Sequence, residues 1–179
     1  MYITAYVKGD SSALECLLSL GFIEKGEPMS RGYILYKALK LGLNVVNAVR
    51  SLEWREFEEL LRLIFADFGY HVAANVRLNC GDIAEFDLIA WNKELAIVVE
   101  AKRWKVGGAK WQEVARRHLE KMMRCRLKLL AFAPAAAPLV VTSTATNFIT
   151  GGVPVVSIEN IGHFLTSLDY LKDQIAILK

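Results

Sequence analysis

The amino-acid sequence predicts an α/β fold: a mixed β-sheet core flanked by helices on both faces, with a small, mostly helical N-terminal appendage. Three observations carry this expectation. The composition, 54% hydrophobic with 23% charged residues in a chain of 179, suits one sizeable packed core with little added to it. Short runs rich in β-branched residues at 86–91, 95–101, 139–143 and 153–158 have the length of strands. Stretches of helical period at 54–68, 109–123 and 161–171 alternate with them, and strands that alternate with helices build sheets with parallel additions.

In chain order, residues 1–7 alternate weakly and are expected as a strand. Asp10 or Ser11 caps a helix that runs to about Leu20 and stops at Gly21. After a turn at Gly26 and Pro28, a second helix covers 31–41 and ends at Gly42. Residues 1–50 form the appendage, a packing or dimerisation element. The succession LLSLGFIEK and GYILYKALKLG also resembles part of a winged-helix domain, without a diagnostic motif.

The core domain is expected over residues 51–179. Ser51 is its candidate N-cap, with Glu53 in the favoured first turn. Trp54, Phe57, Leu61, Ile64, Phe65 and Phe68 then form one apolar stripe, ended by Gly69. On the helical wheel Glu58 lies at the border of that stripe, while Glu56 and Glu59 point farther out. A carboxylate there could hand an acidic ligand to a site at the end of the sheet. Residues 70–78 read as a strand and Asn79-Cys80-Gly81 as a turn.

The stretch EFDLIAWNKELAIVVEAKRW, residues 85–104, reads as a β-hairpin turning at Asn92-Lys93-Glu94. Its register sets Asp87 opposite Glu100, and a shift of the turn by one residue keeps both on one face. Like charges facing each other across a strand pair cost a few tenths to about 1 kcal/mol. Glu100 and Lys102, two apart, share a face. Two carboxylates and an ammonium group at the end of an apolar hairpin suit a hard divalent cation, since Mg²⁺ binds through one or two carboxylates, keeps waters and contacts substrate phosphate.

Beyond the hairpin, Gly107-Gly108 opens a helix with Trp111, Val114, Ala115, Leu119 and Met122 facing inward. Residues 126–138, rich in Ala and Pro, are expected to connect. Cys16, Cys80 and Cys125 are odd in number and widely spaced, which suits reduced packing residues. His71, His118 and His163 show no metal-ligand spacing and are expected to be structural or solvent-exposed.

Net charge is segregated. Between Lys102 and Lys128 stand ten Lys/Arg and two acids, a local charge of +8 that leaves −5 for the rest of the chain. An excess of one sign this dense calls for a polyanion, so nucleic acid is the expected partner. Arg103, Lys105, Lys110, Arg116, Arg117, Lys121 and Arg124 are the candidate phosphate contacts, with Gln112 as a further substrate contact. No apolar run reaches the eighteen or so residues of a membrane span, and the first residues lack the pattern of a secretory signal. A cytoplasmic location is expected by default.

Asp87 followed thirteen residues later by Glu100-Ala101-Lys102 at the end of an apolar strand resembles the PD-(D/E)xK nuclease superfamily, closest in pattern to Mrr-like nucleases and archaeal Holliday-junction resolvases. Glu85-Phe86 stands where the eponymous Pro would be. The resemblance implies a restriction-endonuclease-like core and a metal-dependent endonuclease acting on duplex or branched DNA. In it, Asp87, Glu100 and the Ala101 carbonyl would ligate Mg²⁺ or Mn²⁺, and Lys102 would assist the attacking water. Glu58, ahead of Gly69-Tyr70, matches the family's first-helix acid. The reaction would leave a 5′-phosphate, and a homodimer would supply two sites for two strands. Arg116 stands where some branches carry Tyr after Gln112, which argues against those branches. The competing readings are a catalytically silent DNA-binding module on a nuclease scaffold and a metabolic enzyme with an acidic Mg²⁺ site; the adjoining +8 region suits a polymer better than a small phosphate ester.

Overall fold

A computed structural model describes residues 2–24, 26–102 and 110–179. The chain divides into two compact units, Met1–Leu63 and Ile64–Lys179, so the division falls inside a helix.

The first unit holds α1 (Tyr2–Val7), α2 (Ser12–Ser19), α3 (Arg31–Lys40), α4 (Val46–Val49) and most of α5 (Trp54–Asp67). The strand expected over residues 1–7 is therefore a helix. Ile3 and Tyr6, one helical turn apart, both pack on the cluster Leu17, Ile23 and Ile34, a spacing that a strand would have split between two faces. The Ser30 side chain caps α3 by accepting the Tyr33 N–H at 3.2 Å, and its hydroxyl donates to Glu59 at 2.7 Å. Gly32 marks a close approach: a Cβ there would lie 2.7 Å from the Glu56 carbonyl oxygen. α5 is not capped by Ser51. It starts at Trp54, where the Glu56 carboxylate reaches back to accept the Glu53 N–H at 2.7 Å, the return half of a capping box.

The second unit begins with the end of α5, where Gly69 takes φ +80°. It continues through β1 (His71–Asn79), β2 (Ile83–Trp91), β3 (Ala96–Lys102), α6 (Trp111–Arg124), α7 (Arg126–Leu129), β4 (Ala136–Thr142), β5 (Asn147–Thr150), β6 (Val153–Ser157) and α8 (Ile161–Leu171). One mixed sheet results, in the order β1-β2-β3-β4-β6-β5. The β1, β2 and β3 meander is antiparallel, β3, β4 and β6 run parallel, and β5 closes the edge antiparallel to β6. Trp111, Val114, Ala115 and Leu119 of α6 pack with Val153 and Val155, whereas Phe164 and Leu171 of α8 share a groove with Pro154 and Val156. Alternate residues of β6 point to opposite faces, so helices cover both, as the sequence predicts.

Two further expectations need correction, and one strand went unforeseen. Residues 126–138 do not merely connect: they contain α7 and the start of β4, which is buried at every position. Pro138, which donates no ladder hydrogen bond, hid the beginning of that central strand. β5 escaped notice because it is a four-residue edge strand with no apolar run. Finally, Cys80 in the β1–β2 turn and Cys125 at the end of α6 form a disulfide, and Cys16 alone is free. No spacing rule pairs cysteines 45 residues apart; the crossover of α6 back over the sheet brings them together.

Candidate active site

The hairpin register agrees with the sequence reading. Leu88 pairs with Val99, Ile89 with Val98, Ala90 with Ile97 and Trp91 with Ala96, and the turn is closed by the Asn92 N–H on the Leu95 carbonyl at 3.1 Å. Asp87 and Glu100 stand one step beyond the last of these pairs. Around Asp87 the sheet is irregular: Ala74 pairs with Leu88 and Val76 with Phe86, but Asn75 and Asp87 between them are left out of the ladder. Asn75 takes φ +53°, a left-handed conformation unusual for a side-chain-bearing residue. Phe86 and Ile89, an odd number of positions apart, nevertheless reach the same core cluster. Such local breaks in alternation re-aim side chains, and here the break falls on Asp87.

Asp87 accepts the Ala101 N–H through Oδ2 at 2.7 Å. Burial, reinforced by the charge of Glu100, raises its pKa above the usual aspartate value, against the opposing effect of the Ala101 N–H. Glu100 is less than one-fifth exposed, and each of its oxygens meets a cation. Oε1 accepts from Lys102 Nζ at 2.6 Å, and Oε2 accepts from Lys121 Nζ at 2.8 Å. Burial pushes Glu100 upward, but His118, Lys102 and Lys121 outweigh it and hold the carboxyl well below the usual glutamate range. The structure thus brings Asp87, Glu100, Ala101 and Lys102 together, with Lys102 one-third exposed and open to solvent.

Two groups that the sequence reading did not assign to the metal site join this cluster. Lys121, expected at an outward or flanking position of its helix as a phosphate contact, turns to the sheet and also donates to the Glu85 carbonyl at 2.7 Å. His118 is buried, at 2% exposure. Its Nε2 lies 2.9 Å from the Val98 carbonyl, which can only accept, so Nε2 carries a proton. Its Nδ1 stands 3.6 Å from Glu100 Oε2, an electrostatic approach outside hydrogen-bond range. Both follow from α6 periodicity, since residues three apart share a helical face; what the sequence lacked was which strand that face meets.

Glu58 belongs to the N-terminal unit. It is 8% exposed, and its Oε1 has no hydrogen-bond partner among the described residues. Glu59 and Glu56 are engaged there by Ser30 and Arg31. On α6, Gln112, Arg116, Arg117 and Arg124 are exposed, and Arg116 and Arg117 pair with Glu113 and Glu120 of the same helix. Lys110, Gln112 and Arg116 border a groove of about 750 Å³ with Trp111 and Phe148. Arg103 and Lys105 lie outside the described residues.

Among the described residues no group of three His, Cys, Asp or Glu side chains could hold a metal ion. What the sheet offers is two carboxylates, one of them already gathering positive charge on both oxygens. That oxygen donor set fits a hard cation that retains its waters, and does not fit a closed zinc site. No helix among the described residues is long and apolar enough to cross a membrane.

A family model for the Mrr catalytic domain, described as a restriction endonuclease, matches residues 49–147. That span is more than half of the chain and contains Glu58, Asp87, Glu100, Lys102 and all of α6. No curated protein and no solved structure gives a match. The mixed sheet flanked by helices and the family match agree, and the chain belongs to the restriction endonuclease family, with a nuclease domain of the PD-(D/E)xK superfamily.

Proposed function

We propose that the protein is a Mg²⁺- or Mn²⁺-dependent endodeoxyribonuclease that hydrolyses phosphodiester bonds in duplex or branched DNA. The observation that supports it is the convergence of Asp87, Glu100 and Lys102 at one end of β2 and β3, in a chain of this family. Asp87, Glu100 and the Ala101 carbonyl hold the cation. When bound, the cation polarises the scissile phosphate and lowers the pKa of a coordinated water. Asp87 is held in place by the Ala101 N–H. Lys102, hydrogen-bonded to Glu100 yet reaching solvent, orients the attacking water or neutralises charge developing on the phosphate. By the family resemblance, Glu58 is the first-helix acid.

Exposed Lys110, Arg116, Arg117 and Arg124, with Gln112, contact the DNA backbone, and two protomers provide the two sites that a double-strand break needs. The test is cleavage of plasmid DNA with Mg²⁺ or Mn²⁺. Asp87→Ala and Lys102→Ala abolish cleavage and keep DNA binding, and Glu58→Gln lowers it severely. Equal nicking by wild type and the Asp87 and Lys102 variants overturns the assignment. Tight binding to DNA by wild type with no cleavage under either cation leaves the silent binding module.

A further inference from the structure

The family motif accounts for one lysine at this site, Lys102. The structure brings a second from a different element. Lys121 of α6 is 22% exposed and donates to Glu100 Oε2 at 2.8 Å and to the Glu85 carbonyl at 2.7 Å. Its Nζ also lies 4.9 Å from the centre of the Phe86 ring, within the range of a cation–π contact. With Lys102 on Oε1, both oxygens of Glu100 carry an ammonium group, so an incoming cation and Lys121 compete for the same lone pairs.

We propose that Lys121 is a positioning residue, a built-in counter-ion that occupies Glu100 Oε2 in the metal-free protein and sets the affinity of the site for the divalent cation that displaces it. The inference rests on reading Glu100 as a metal ligand. Three contacts make the exchange reversible. When Oε2 is taken, the Glu85 carbonyl and the Phe86 ring still hold the ammonium beside the site, so the lysine shifts without α6 leaving the sheet. A half-buried carboxylate left without any cation is costly, and Lys121 holds Glu100 in place until the metal arrives. The same positive charge opposes the metal at close range, where screening is weak.

The measurement is calorimetric titration of Mn²⁺ and Mg²⁺ alone into the full chain, without DNA. Lys121→Met and Lys121→Gln remove the charge, and Lys121→Arg keeps it. The neutral variants are expected to bind the cation at least about tenfold tighter than wild type, because an opposing unit charge close to a divalent ion is gone. Lys121→Arg is expected to stay within about twofold of wild type, since it restores the charge. Unchanged or weaker binding in folded neutral variants overturns the inference, as does failure of both to fold, which would make Lys121 a strut between α6 and the hairpin. Wild-type protein that binds neither cation instead overturns the reading of Glu100 as a ligand, and this inference with it.

Discussion

Asp87 and Glu100 respond to pH in opposite senses because their surroundings differ. Burial, then the Glu100 charge, holds Asp87 above the ordinary aspartate pKa. Its ionised form therefore weakens the metal-free fold, and stability falls as pH rises from the ordinary value through the raised one. Burial also acts against Glu100, but three basic side chains hold its pKa low; its contribution is present above the ordinary glutamate value and is lost as pH falls through the lowered one. Asp87→Asn accordingly melts higher than wild type in chelator at neutral pH, by the few tenths to about 1 kcal/mol that facing like charges cost, while losing cleavage. Glu100→Gln melts lower, since two ammonium groups lose their partner. Thermal melts with and without chelator check both. Asn75, at φ +53° opposite Asp87, is a further pressure point. Asn75→Val is expected to cost about 1–2 kcal/mol, the penalty of a branched side chain in the left-handed region. Asn75→Gly stays near wild type by the same measurement.

Helix α6 joins three tasks. Ala115 and Leu119 belong to the core cluster on β4 and β6, His118 and Lys121 address Glu100, and Arg116, Arg117 and Arg124 face solvent. The exposed ion pairs of Arg116 and Arg117 with Glu113 and Glu120 contribute little to stability, which leaves these guanidinium groups available to exchange toward phosphate. The far end of the helix is tied to the β1–β2 turn by Cys80–Cys125. Closing a loop with 45 residues of separation restricts the unfolded chain by about 4 kcal/mol in the loop-entropy model. Urea unfolding with and without reductant, or of the Cys80→Ser/Cys125→Ser double variant, is therefore expected to show a loss of roughly 2–4 kcal/mol.

The sheet as a whole sets the site at the carboxyl end of β3, where β3 and β4 run parallel and Lys102 pairs with Thr142, the end at which open α/β sheets bind ligands. In the proposed endonuclease each such site would cut one strand of DNA. Mixing wild type with excess Asp87→Asn protein is expected to shift plasmid products from linear to nicked, because mixed dimers cut once; linear product unaffected by the mixture excludes paired protomers.

Periodicity and spacing were enough for the hairpin, its register and the placing of Asp87, Glu100 and Lys102 together at its open end, because these are local: a turn fixes which residues face each other, and alternation fixes the face; the family was legible only through the resemblance of that motif to a known superfamily. The same local reasoning misjudged residues 1–7, whose pattern fits either period, and Pro138, whose strand is set by neighbours on both sides. The Cys80–Cys125 pairing, the burial of His118 and the turn of Lys121 toward Glu100 depended on where α6 lands after its crossover. That landing is a property of packing between elements far apart in the chain, and no window of sequence contains it.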